Sequence, residues 1–212
     1  LSPASAADNH TVEISTAKQL CELSRSCTLD TWSQGKTVAL TADIDLSGTD
    51  FSPIPTFGGA FDGRGHAISG LSLTQSGSAM GLFRYIQEGA QVRDLNVSGQ
   101  VAPAGSAKNV GGIAGCNRGV IQGCSFSGTV SGKTSVGGIA GCNEGTGELN
   151  ACSVSGSVSG EHFTGGVTGQ NLGAASACVS RAQVNTREEE ISVSLDDWNW
   201  DDVNSAENFR AH

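Results

Sequence analysis

Between Gly111 and Asn185 the chain writes nearly the same sequence three times. GGIAGCNRGVIQGCSFSGTVSG starts at Gly111, GGIAGCNEGTGELNACSVSGSVSG at Gly137 and the looser GGVTGQNLGAASACVSRAQVN at Gly165, so the starts lie 26 and 28 residues apart. A period in the twenties leaves no room for two packed helices per unit. It selects a solenoid, in which each unit buries its apolar side only against its neighbours.

Each copy ends in an alternating segment. Cys152, Val154, Gly156, Val158 and Gly160 are apolar or small, and Ser153, Ser155, Ser157 and Ser159 lie between them. Cys124, Phe126, Gly128 and Val130 repeat the inner set one copy earlier, and Leu95, Val97, Gly99 and Val101 one before that. Period two is a strand with one wet face. Aligned, the copies predict inner columns. One reads Leu71, Leu95, Cys124, Cys152, Cys178; a second Leu73, Val97, Phe126, Val154, Ser180; a third Val101, Val130, Val158, Val184. Three residues before each strand stands a further apolar residue: Ile68, Val92, Ile121, Leu149 and Ala175. With coils stacked at about 4.8 Å, the expected fold is all-β: a single-stranded parallel β-helix of about five or six coils.

The composition suits so slender a core, with 5% aromatic residues and 30 glycines. A net charge of −9 disfavours nucleic acid and anionic membranes as partners. Residues 186–212 carry eight acids and two bases, −6 in all. Residues 1–11 read as a leader, in which Ala4-Ser5-Ala6 matches either the end of a signal peptide or an ordinary Ala/Ser stretch. The β-helix is placed at 12–185, with repeats near 81–101, 111–132, 137–160 and 165–185, and 186–212 as an acidic, Trp-containing tail or cap. After a short strand at Val12–Ile14, Thr16 and Gln19 have capping-box spacing before a helix with Ala17, Leu20, Cys21 and Ser24 on one face and Leu23 beside it. An open solenoid end exposes apolar core and unpaired strand edges, so this helix is read as a cap. Pro53 and Pro55 mark a corner, and Phe57 and Phe61 are placed in the core.

ADIDLSG, FGGAFDGRGHAISGLSL, the GLF triplet and the quartets Gly112-Ile113-Ala114-Gly115, Gly138-Ile139-Ala140-Gly141 and Gly166-Val167-Thr168-Gly169 resemble bacterial surface proteins with GLUG-motif repeats. The resemblance spans roughly residues 12–185. It implies a right-handed β-helix within a longer secreted or cell-surface chain, of the kind found in adhesin-like proteins and beside an IgA peptidase. It transfers no catalytic residue. Gly81-Leu82-Phe83-Arg84 departs from the quartet, with arginine in place of the last glycine, and implies a wider corner.

Candidate chemistry is sparse. Asp43, Asp45, Asp50 and Asp62 cluster early, as the carboxylates of a carbohydrate-active β-helix enzyme would. They also alternate with Ile44 and Leu46, as on any wet strand face. His66 and His162 have no evident partner. Asn117, Asn143 and Asn171 form a corner column suited to αL geometry and to a hydrogen-bonded ladder. Cys124, Cys152 and Cys178 are read as core, whereas Cys116 and Cys142 align with Gln170 and are placed facing solvent, where a bridge between coils is open to them. Cys21 and Cys27 are a similar pair. Asp196, Asp197, Trp198 and Trp200 form a candidate binding site for sugar or cation, or else a cap. No cofactor or metal motif occurs. The expected function is a non-catalytic extracellular stalk or adhesive surface whose partner is a host or cell-surface protein or a glycan, and the enzyme is the alternative.

Overall fold

A computed structural model describes residues 11–186. Each full coil visits four parallel sheets in turn. In one coil these visits are Glu148–Asn150 on the first face, Ser153–Gly160 on the second, His162–Gly165 on the third and Thr168–Asn171 on the fourth. The first and second sheets have seven strands each, the fourth has four and the third three, and they form a solenoid of about 6 turns. The right-handed sense implied by the resemblance is the one that about 98% of parallel crossovers adopt.

The columns form as the alternation requires, with a corrected register in the early coils. Ile68 pairs with Val97, and the next inner residue, Leu71, pairs with Gly99. Three residues thus face two, so an extra residue bulges out around Gly70, whose φ is +69°. The second column is therefore Ile68, Val97, Phe126, Val154, Ser180. Leu73 joins Val101, Val130, Val158 and Val184 instead. Leu71 is not in the Leu95 file. On the first face the inner place below Val92, Ile121, Leu149 and Ala175 belongs to Phe61, not Ile68. Phe57, Phe61 and Phe83 fill the wide early coils as a mutually tilted cluster with ring centroids 5.3–6.0 Å apart.

The unequal period has a local cause. Asn117 and Gly119 are two residues apart, but their counterparts Asn143 and Gly147 are four apart. Val120 still pairs with Glu148, and Glu148 with Ala174. The two extra residues loop out at 144–146 and leave the register untouched.

The helix Ala17–Ser26 covers the first coils, burying Leu20, Cys21, Leu23 and Ser24. Ser24 Oγ donates to the carbonyls of Ser52 (2.7 Å) and Pro53 (3.2 Å), tying the cap to the solenoid. The capping box is complete: Gln19 N–H donates to Thr16 Oγ1 at 3.2 Å, and Thr16 N–H to Gln19 Oε1 at 3.2 Å. Thr16→Ala is expected to cost about 1 kcal/mol, read as a drop of about 3 °C in the thermal midpoint. At the other end, Phe163 and Leu172 are each 62% exposed on the last described coil.

Candidate functional site

The outward side of the second face is a ribbon of hydroxyls. Ser125, Ser127, Thr129 and Ser131 lie in register with Ser153, Ser155, Ser157 and Ser159. Ser125 Oγ donates to Asn96 Oδ1 at 2.6 Å, so neighbouring rows are cross-linked. The ribbon is regular in register, and a groove of about 510 Å³ opens along it between Ser125, Ser127, Ser153, Ser155 and Arg181.

The irregular place is the start of the fourth face. There the strand Phe83–Ile86 pairs with Ala114–Asn117, which sets Tyr85 level with Cys116 and Ile86 with Asn117. In the later coils each fourth-face strand lies against backbone of the third face one coil below, the strand Lys108–Gly111 under Gly141 and the single bridge at Met80 under Gly115. A Cβ on Gly141 would come within 2.5 Å of Asn109 C, and one on Gly115 within 2.5 Å of Ala79 C, so glycine is needed there. Below Phe83–Ile86 no third-face strand has yet formed. Arginine therefore fits at position 84, and its guanidinium donates to the carbonyls of Ala79 and Ser78, both at 3.2 Å. Tyr85 emerges uncovered, 46% exposed, with the Arg84 guanidinium carbon 6.0 Å from its ring centre.

A groove of about 670 Å³ opens beside Tyr85, bounded on the far side by the loop that follows the cap helix. Gln87 fixes that wall, its amide donating to Asp30 O and Thr56 Oγ1, both at 2.8 Å. Gln34 Nε2 donates in turn to Gln87 Oε1 at 2.8 Å. Arg118 lines the groove and pairs with Glu144 from the looped-out insertion. Sequence reasoning noticed Arg84 as a departure from the quartet but passed over Tyr85, which stands where later copies carry cysteine or glutamine. That mismatch was the available signal.

Three of the early acids, Asp43, Asp45 and Asp62, are committed to backbone N–H groups. Asp43 Oδ1 accepts from Ala67 N–H at 3.0 Å and lies 3.1 Å from His66 Nδ1, so His66 does have a partner. These two contacts hold Asp43 below the usual carboxylate range. The hydroxyl and N–H of Ser47 do the same for Asp45. Asp62 Oδ1 accepts from Arg64 N–H at 3.0 Å, and Oδ2 faces Arg93 at 3.4 Å. A glycosidase acid needs its pKa raised, the reverse of what Asp43 and Asp45 experience. Among the described residues no group of three metal-capable side chains is assembled. Asp196, Asp197, Trp198 and Trp200 lie outside the described residues.

The asparagine column is a ladder within strands, without αL backbone. Asn117 Nδ2 donates to Asn143 Oδ1, and Asn143 Nδ2 to Asn171 Oδ1, each at 2.9 Å. Cys116 and Cys142 pair in register but do not face solvent. They are 5% and 7% exposed in a small cluster with Ala79, because the third-face layer covers them. All seven cysteines are free thiols. Burial pushes Cys116 and Cys124 up to about 12, and Cys27 and Cys152 to about 11. A thiol whose folded pKa exceeds its unfolded value stabilises fully below pH 9 and loses that contribution as pH rises toward 11–12. Denaturant midpoints are therefore expected to hold to about pH 9 and then fall, each ionising thiol adding up to about 1.4 kcal/mol per pH unit. Replacing both Cys124 and Cys152 with alanine should flatten that fall.

No helix of the described residues is long and apolar enough to cross a membrane. The profile of the family described as the GLUG motif matches residues 106–131. Halomucin of Haloquadratum walsbyi is 34% identical over 129 residues, which cover 53% of this chain and 1% of that protein. A candidate Gly-rich membrane protein of Evansella cellulosilytica is 34% identical over 94 residues, covering 42% of this chain and 11% of that one. The chain thus spans a small fraction of each relative's length. A crystal structure of a candidate immunoglobulin A1 protease from Bacteroides ovatus superposes with a TM-score of 0.56 over 88% of this chain and 80% of that one, at 19% identity. That likeness is one of fold. The four-faced coil, its stacked glycine quartets and the matched segment make this chain a parallel β-solenoid that carries the GLUG motif.

Proposed function

We propose that the chain is a module of an extracellular, secreted or cell-surface protein, in which it serves as a stalk and adhesive surface without catalysis of its own. The observation that carries this reading is the second face: an outward ribbon of in-register polar side chains, serine and threonine on two coils and Asn96, Ser98 and Gln100 on the coil before them. Such a surface offers extended contact and no enclosed chamber. The names of the two sequence relatives, halomucin and a Gly-rich membrane protein, are in keeping with that reading. The partner is a host or cell-surface protein or a glycan. A carbohydrate-active site at Asp43, Asp45 and Asp62 receives no support from their geometry, since each is bonded to a backbone N–H. The test is attachment of beads coated with the protein to surfaces bearing mucin or cell-surface glycoprotein, against albumin. Retention above the albumin level is expected, and no retention on either surface would overturn the adhesive reading.

A further inference from the structure

We infer that the groove beside Tyr85 is a binding site for a neutral saccharide. This assignment rests on the adhesive reading above and locates its site away from the hydroxyl ribbon.

The first support is where the repeat is broken. Stacking explains Gly115, Gly141 and Gly169, whose Cβ atoms would each collide with the backbone below. It does not ask for Arg84 or Tyr85 at the matching places in the first fourth-face strand. The absence of a lower strand permits large side chains there but does not select a half-exposed aromatic ring. Both residues line the same groove.

The second support is chemical. Tyr85 offers a flat apolar ring with a polar tip, of the kind that stacks on the C–H face of a pyranose. Its hydroxyl takes no hydrogen bond among the described residues. Around it stand planar polar groups, the Gln34 amide, the Asp30 and Glu88 carboxylates and the Arg118 guanidinium, which can donate to or accept from vicinal hydroxyls. The Gln34–Gln87–Thr56 network already holds the wall in place, which limits the ordering cost of binding. The volume of about 670 Å³ falls within the range of small-ligand sites.

Charge and backbone narrow the ligand class. Arg118 is already paired with Glu144, and Asp30 and Glu88 line the groove with Arg84, so the groove does not concentrate a polyanion. An extended peptide would need a free strand edge. Here Arg84 N–H donates to Ile54 O and Gln87 N–H to Phe57 O, both at 2.8 Å, so those donors of the edge are taken.

The experiment titrates the isotope-labelled protein with cellohexaose, maltohexaose and N-acetylchitohexaose while following backbone amides by NMR. At least one sugar is expected to shift Tyr85, Gln87 and Arg118 together. Tyr85→Ala should weaken that sugar about tenfold, whereas Tyr85→Phe should stay within about threefold and Phe163→Ala should leave binding unchanged. The assignment is overturned if none of the three sugars moves those amides, or if Tyr85→Ala binds as well as the parent while keeping its thermal midpoint. Bead attachment separates the two levels. If Tyr85→Ala beads still attach to mucin as the parent does, the groove is not the site and the adhesive reading stands. If the parent itself fails to attach, that reading falls.

Discussion

Gly128→Ala is expected to lower stability by about 3 kcal/mol or more, read as a thermal midpoint about 10 °C lower. Gly128 sits in the middle of the second face at φ +141°, flanked in register by Gly99 at +145° and Gly156 at +104°. A Cβ on Gly128 would point along the stack into the carbonyl oxygen of Gly99, well inside contact distance. The obstacle is backbone held by the ladder, so no rotamer change relieves it. Ser127→Ala, one residue earlier on the wet side, is the control and should stay within about 0.5 kcal/mol. A Gly128→Ala protein as stable as the parent would show that this glycine file is not required by the stack.

Asn143→Ala should cost about 3 kcal/mol. Asn143 is fully buried, and its amide donates to Gly147 O at 3.2 Å, Asn171 Oδ1 at 2.9 Å and Ala174 O at 3.1 Å while its Oδ1 accepts from Asn117. Removing it takes a donor from three acceptors at once. Asn143→Asp is the sharper test. A carboxylate there would face those three oxygens, so its pKa must rise above the unfolded value. A raised carboxyl pKa gives stability that is present at low pH and lost as pH climbs. This variant should therefore be more stable near pH 4 than near pH 7, and denaturant midpoints at the two values check it. Equal midpoints, or the reverse order, would refute the ladder. Two coils lower, Ile86 ends the column beside Asn117, whose amide is already spent on Gly119 O and Asn143 Oδ1.

The stacked solenoid and most of its inner columns were legible in the sequence, because strand alternation and repeat period are both short-range and survive substitution. So was the capped helix, whose box lies within four residues. What failed was register in the early coils, where an extra residue sits inside a strand and not in a loop. The bulge at Gly70 moved Leu71 and Leu73 by one place, and nothing in a local window distinguishes a bulge from a strand continuing in phase. The glycines at 99, 128 and 156 read as inner residues, but 99 and 128 are half-buried and 156 is exposed. They are small because of the coil below, not because of the core.

By itself the sequence determined the coil length, the inward and outward alternation and the identity of the residues that stack like on like. These follow from covalent spacing along the chain. Only the tertiary structure decided that Cys116 and Cys142 are covered while Tyr85 is not, since burial at those places depends on whether third-face backbone, a strand or the Ala79–Met80 segment, lies one coil below. It also decided that Asp43 meets His66 and that Gln87 braces the groove wall, contacts made across 23 and 31 residues of chain. A side chain's face is set by its own strand, but what lies over that face is set by a different turn of the solenoid.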